Sequence, residues 1–261
     1  MTRVGQVFPG EIDVQPSIYL DHLGTIFARF GADTQDSGNV SYGVRTPTAR
    51  YFVKTAGDPA NTDPYLDFDG RVALLRNAVE LAKSVVHPAL PTLHAVVESP
   101  GGPLLVYEWR DGELLGIRGT AHERFRALPV EEILAALDTL YDLHADLDAA
   151  GWVEGDFYDG AMLYDFPTRR LTVMDLDTYR RGPHHNHMGR MFGSARFMAP
   201  EQHSLGAPVD TRTTAYVMAR TALVLLSEPP AALYAVLQEA TTTRFPTYAA
   251  FHQTWLSARA R

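Results

Sequence analysis

The 261-residue chain carries 23 Lys and Arg against 31 Asp and Glu, a formal net charge of -8, with 46% hydrophobic and 21% charged residues. That length suits one large or two small domains with a well-buried core, and the negative balance leaves no long-range field to gather nucleic-acid phosphates or anionic lipid, so neither nucleic acid nor membrane is expected as a partner. The absence of cysteine excludes disulfides, thiolate nucleophiles and Cys-ligated zinc or iron–sulfur centres, and makes the cytoplasm the expected compartment.

Met1 to Gly10 has no basic cluster followed by an apolar stretch, and acids follow at Glu11 and Asp13, so it does not read as a signal peptide. Gly24 to Phe30 alternates as a strand, Gly31 to Asn39 is a polar turn, Val40 to Val44 resumes the strand signal, and Tyr51, Phe52 and Val53 carry it up to Lys54. Pro59, Asn61 and Pro64 mark a loop. Val72, Leu75, Val79, Ala82 and Val86 then recur at helical spacing until Pro88 forbids continuation. Leu104 to Trp109 is an apolar strand, and the turn at Asp111-Gly112 is where the first half is expected to end.

The second half is mainly helical. Ile133, Leu137, Leu140, His144 and Leu147 form one stripe, which Gly151 closes at the C′ position. Met162 to Tyr164 and Leu171 to Met174 flank the turn Asp165 to Arg170 as a hairpin, with Asp156 and Asp175 at its opposite ends. Helices are also predicted over Asp210 to Leu226 and around Tyr248, Phe251 and Trp255. The longest apolar run, Ala215 to Leu226, is broken by Arg220 and falls short of the roughly 18 residues a spanning helix needs.

A glycine-bearing turn, a lysine ending a third strand, a helix, a further strand and two carboxylates around a hairpin are the parts of a phosphoryl-transfer site. Such a site needs backbone over the phosphates, a fixed cation, a carboxylate on magnesium, and a second carboxylate toward the substrate hydroxyl. In this order, from about Gly24 to the end, the chain resembles the protein kinase-like superfamily, in particular a bacterial serine/threonine protein kinase-like protein with degenerate catalytic motifs. Gly155-Asp156 followed by Leu163 resembles the catalytic loop, Asp175-Leu176-Asp177 stands where the family has Asp-Phe-Gly, and Gly193 to Glu201 (GSARFMAPE) is similar to the segment ending in Ala-Pro-Glu. Asp210 matches the acid that opens the buried helix, and Arg244 the arginine that pairs with the glutamate of that motif, here Glu201.

The resemblance implies an α+β, two-lobed fold. Residues 1–110 would be an N-lobe of antiparallel sheet plus one helix, residues 111–261 a mainly helical C-lobe, with nucleotide between them. It implies ATP and Mg2+ as cofactors and transfer of the γ-phosphate to a Ser/Thr hydroxyl of a protein, or to a small-molecule hydroxyl. Asp156 would be the catalytic carboxylate, Lys54 the clamp on the phosphates, Ser194 the hydroxyl bonded to the catalytic carboxylate, and Asp175 with Asp177 the metal side chains. Gly38 would approach the phosphates, while Glu108 and Trp109 would form the adenine-binding hinge between walls of Val40, Val106 and Leu163.

The departures fall on the same machinery. Ala161 stands where the family has a metal-holding asparagine, so a replacement oxygen would have to come from Asp177 or Asp159. Glu154 and Gly155 replace the histidine and arginine before the catalytic aspartate, which removes the usual dock for a phosphorylated activation loop. Tyr158 replaces a lysine, and Ala78 falls where Lys54 would find its glutamate, with Asn77 and Glu80 nearby. These losses support the alternative expectation, a pseudokinase acting as a nucleotide-binding or scaffold module without turnover. His184, His185 and His187 are expected to lie in a polar, solvated stretch instead of binding metal.

Overall fold

The computed structural model describes residues 8–31, 37–116 and 119–260. The chain is α+β and divides into two compact units, residues 1–86 with 91–110, and residues 87–90 with 111–261. The centre of the polar turn expected over Gly31 to Asn39, residues 32–36, lies outside the described residues, as do residues 1–7 at the amino end.

The first unit begins with α1 (Pro16–Leu23), followed by β1 (Thr25–Phe30), β2 (Val40–Arg45), β3 (Arg50–Thr55), α2 (Phe68–Ser84), β4 (Leu93–Val97) and β5 (Leu104–Glu108). The five strands form one sheet in the order β1-β2-β3-β5-β4, each neighbouring pair antiparallel. Because side chains alternate across a sheet, its two faces carry separate cores. One packs Tyr42, Val44, Tyr51, Val53, Val97, Leu104 and Val106 with Leu20 of α1 and with Phe8. The other packs Leu105, Tyr107 and Phe52 with Leu75, Ala78 and Val79 of α2. Pro16 opens α1, where its missing N–H costs nothing. Asp67 caps α2, its carboxylate accepting the Gly70 N–H at 2.8 Å.

Two features depart from the periodicity reading. Neither α1 nor β4 is anticipated from it. Helix α2 ends at Ser84, and Val85 turns extended with its N–H still donated to the Leu81 carbonyl. The chain therefore leaves the helical screw before Val86, which is 92% exposed instead of closing the apolar stripe.

The second unit holds β6 (Glu113–Leu114), α3 (Thr120–Arg126), α4 (Val130–Ala149), β7 (Trp152–Val153), β8 (Met162–Asp165), β9 (Arg170–Val173), β10 (Arg180–Arg181), β11 (His184–His185), β12 (Pro208–Val209), α5 (Thr211–Leu225), α6 (Ala231–Thr241) and α7 (Tyr248–Arg259). The β8–β9 hairpin forms as expected, joined by β6 in a three-stranded sheet. Helix α4 ends at Ala149, and Gly151 takes φ +80, the left-handed conformation that suits glycine at this point. Ile133, Leu137, Leu140, His144 and Leu147 are all buried. Asp210 caps α5 by accepting the Arg212 N–H at 2.9 Å, and Thr247 caps α7. Helices α3 and α6 are absent from the sequence reading: the seven residues of α3 carry too few turns to show a period, whereas α6 places Leu233, Val236, Leu237 and Ala240 at helical spacing, a signal present in the sequence. Among the described residues no helix is long and apolar enough to cross a membrane.

Candidate functional site

The strand register sorts the residues that sequence reasoning gathered in the first unit. Lys54 lies opposite Ser41 on β2 and Leu105 on β5, and Ser41 lies opposite Phe30 on β1. Directly opposed residues share a face, so Phe30, Ser41, Lys54 and Leu105 form one row. Ala28, Gly43, Phe52 and Tyr107 form the next. This is the face that packs against α2, and Lys54 is only 5% exposed within it.

Val40 and Val106 fall on the other face, packed into the core beneath α1. In the register they therefore alternate with Lys54, although Cγ2 of Val40, at the end of β2, lies 3.3 Å from the β-carbon position of Gly57, as does Nη1 of Arg71 from α2. Glu108 lies opposite Tyr51, on the same side as those valines, and pairs with Arg110 at 2.7 Å. Trp109 remains with the Lys54 face. Its ring meets that of Phe27 edge to face at 4.7 Å, and both rings lie where a β-carbon on Gly43 would be, 2.8 to 2.9 Å away. Phe30 and Phe52 pair at 5.9 Å on the same face. Ser41, Gly43, Phe30 and Phe52 escaped sequence reasoning because sharing a face with Lys54 is a property of register, though counting back by two from Lys54 reaches Phe52.

Gly38 has φ +89, and a β-carbon there would stand 2.4 Å from the Pro64 ring. Its carbonyl accepts from Nη1 of Arg71, a fully buried arginine that also donates to the carbonyls of Asp58, Asn61 and Asp67. The buried Asn39 amide donates to the carbonyls of Thr55 and Arg71. Packing and main-chain bonding onto α2 thus account for glycine at position 38 without a ligand. On α2, Ala78 is buried in the core and the exposed Glu80 pairs with Lys83 at 3.1 Å.

In the second unit the loop from Glu154 to Ala161 and the segment from Asp175 to Tyr179 meet across Gly155. A β-carbon at Gly155 would lie 2.3 Å from the Thr178 carbonyl oxygen. That contact leaves no room for a side chain at position 155. Asp175 is exposed and has φ +62, a rare conformation for a residue with a side chain; Asp177 is buried. Asp156 is half-buried, and its Oδ1 lies 2.9 Å from where a β-carbon on Gly193 would be, so the segment leading into Ser194 passes directly over it. Ser194 is half-buried, and its carbonyl accepts the N–H groups of Phe197 and Met198. Leu163 is buried in β8, its Cγ 2.9 Å from the β-carbon position of Gly112. Ala161 is buried, its carbonyl accepting from Met174.

Glu154 is fully buried. Its Oε1 accepts the Phe157 N–H at 2.7 Å, its Oε2 accepts from Nε2 of Gln202 at 3.0 Å, and its own N–H donates to Oγ1 of Thr214 on α5. Burial pushes its carboxyl up to about 8 against the pull of those donors, with Asp156 and Glu201 adding to the rise. Asp159 is 1% exposed, its Oδ2 held by Arg196 at 2.6 Å and by Nδ1 of His122 at 3.3 Å. That oxygen serves an ion pair. Glu201 and Arg244 form the expected pair with two bonds, Nη2 to Oε1 at 2.6 Å and Nη1 to Oε2 at 3.1 Å, and Oγ1 of Thr213 donates to the same carboxylate. Burial alone would raise the Glu201 carboxyl, but the Arg244 and Thr213 bonds hold it below the usual range. Asp210 binds Arg212, and the loop amide of Glu154 is held by Thr214.

Among the described residues no three His, Asp or Glu side chains form a group able to hold a metal ion by themselves. His184 and His185 are instead paired as a short strand with Pro208 and Val209. No protein-family model matches the chain, and no curated protein matches it in sequence.

Proposed function

We propose that the chain is an ATP-dependent phosphotransferase of the protein kinase-like class, with a two-lobed arrangement, acting on a Ser/Thr hydroxyl of a protein or on a small-molecule hydroxyl. The observation that carries this is the meeting of two carboxylate-bearing segments across Gly155: the loop with Asp156, and the turn where Asp175 is held exposed in the left-handed region. Left-handed backbone at a residue other than glycine clusters at working sites.

In this reading Asp156 orients the acceptor hydroxyl and takes its proton, and Asp175 holds magnesium with nucleotide oxygens and water completing the shell, as a hard cation with few protein ligands allows. Asp177 would stand behind it, and Lys54 would supply the fixed cation toward the phosphates. Magnesium would neutralise charge on the transferring phosphoryl group. Asp156→Asn is expected to lower phosphoryl transfer by about 10²- to 10⁴-fold, the ordinary contribution of a positioned base, while leaving nucleotide affinity within a few-fold of the native value. Transfer of label from γ-labelled ATP to a panel of protein and small-molecule acceptors checks the first, equilibrium binding the second. Equal transfer by native and variant protein would refute the assignment.

The second reading, a pseudokinase, rests on the aromatic rings of Phe27, Trp109, Phe30 and Phe52 on the Lys54 face. Where the family motif has alanine two residues before the lysine, this chain has Phe52. Should that ring take the place of adenine, Phe52→Ala would raise nucleotide affinity, as titration calorimetry would show.

A further inference from the structure

Arg196 is tethered at both of its ends. Its guanidinium donates to Oδ2 of the buried Asp159 at 2.6 Å, and its carbonyl accepts from Nε and Nη2 of Arg220 on α5 at 3.2 and 3.1 Å. Asp159 sits three residues beyond Asp156 in the same loop, and His122 of α3 approaches the same oxygen while also contacting the Leu115 carbonyl. Between these anchors the stretch from Ser194 closes into a turn, with Phe197 and Met198 donating to the Ser194 carbonyl. Phe197 and Met198 are buried, and Gly193 lies against Oδ1 of Asp156.

We infer that Arg196 and Asp159 are positioning residues: their ion pair locks the Gly193 to Met198 segment onto the loop that carries Asp156, so the segment is held in place with no covalent modification. The polarity supports this. The cation belongs to the segment and the anion to the loop, so the segment already carries the charge that its partner requires. An added phosphoryl group would bring like charge toward Asp159 and Asp156. A charge-assisted bond to a buried carboxylate is among the stronger single contacts a segment can make. The effect on turnover rests on the phosphotransferase reading above; the lock itself does not.

The test is hydrogen–deuterium exchange at the Phe197 and Met198 amides of the full chain without nucleotide, in native protein and in Arg196→Ala, Arg196→Lys and Asp159→Asn. Arg196 is partly exposed, so its variants are expected to fold, which unchanged exchange in the core of α4 would verify. Arg196→Ala and Asp159→Asn should each speed exchange at the two amides by roughly 10- to 100-fold, the factor that losing one charged hydrogen bond allows. Arg196→Lys should restore most of the protection. Unchanged exchange in both Arg196→Ala and Asp159→Asn overturns the inference. If phosphoryl transfer is measurable, Arg196→Ala should lower kcat with the KM for ATP unmoved, and Arg196→Lys should recover it. If native protein transfers no phosphate while the amides still respond, the lock stands and the phosphotransferase assignment falls.

Discussion

Gly155 and Glu154 show how neighbours in sequence answer to different physical demands. With the Thr178 carbonyl 2.3 Å from its β-carbon position, Gly155→Ala must displace backbone, and a loss of at least about 1–3 kcal/mol is expected, the cost of overpacking a close contact; denaturant titration measures it. Glu154 carries a pH dependence. Its carboxyl is raised from 4.5 to about 8 in the folded chain, so the folded state binds the proton more tightly than the unfolded one. The associated stability is full below about 4.5 and is lost as pH rises through about 8. His144 acts in the opposite sense: burial lowers it from 6.5 to about 4, so its contribution is present above 6.5 and lost as pH falls through about 4. Between pH 6.5 and 8 Glu154 therefore acts without His144. Over that interval the thermal midpoint of the native chain should fall, and Glu154→Gln should flatten the decline. The candidate carboxylates Asp156 and Asp175 were legible from their places around one hairpin. The role of Asp159 was not, because an ion pair with a residue 37 positions away leaves no local pattern.

At the scale of elements, α2 separates periodicity from geometry. Leu75 lies fully buried against the sheet whereas Val86 is exposed beyond the helix end. Leu75→Ala should therefore cost about 2–5 kcal/mol and Val86→Ala less than about 0.5 kcal/mol, although both residues fit one helical stripe. The turn before β12 and the loop before α7 are joined by Glu201 and Arg244, partly buried at 15% and 24% side-chain exposure. Removing one partner strands the other, so Arg244→Met should destabilise by about 2–4 kcal/mol, and the double variant Arg244→Met with Glu201→Gln should recover part of that loss. This pair was expected in advance because the resemblance of the segments around Glu201 and Arg244 to family motifs implies it. The sorting of Val40 and Val106 away from Lys54 was not, since a strand read alone has two faces and no label for either.

For the whole molecule, the decisive comparison is thermal unfolding with ATP and magnesium, with ATP and a chelator, and without ligand. Ligand at a hundred times its dissociation constant stabilises by about 2.7 kcal/mol, enough to move the midpoint several degrees in a chain of this size. A magnesium-dependent rise is expected if Asp175 holds metal beside nucleotide; a shift indifferent to magnesium favours the scaffold reading. The sequence by itself determined the α+β class, the β8–β9 hairpin, the long helices and the place where α4 stops, because periodicity, glycine and capping chemistry act over a few residues; the Glu201–Arg244 pair was expected only through the family resemblance. Tertiary structure alone decided which face Lys54 shares, that Gly155 answers to Thr178, that Gly38 answers to Pro64 and Arg71, and that Asp159 belongs to Arg196. Those outcomes depend on strand register and on contacts between distant segments, which exist only once the chain has packed.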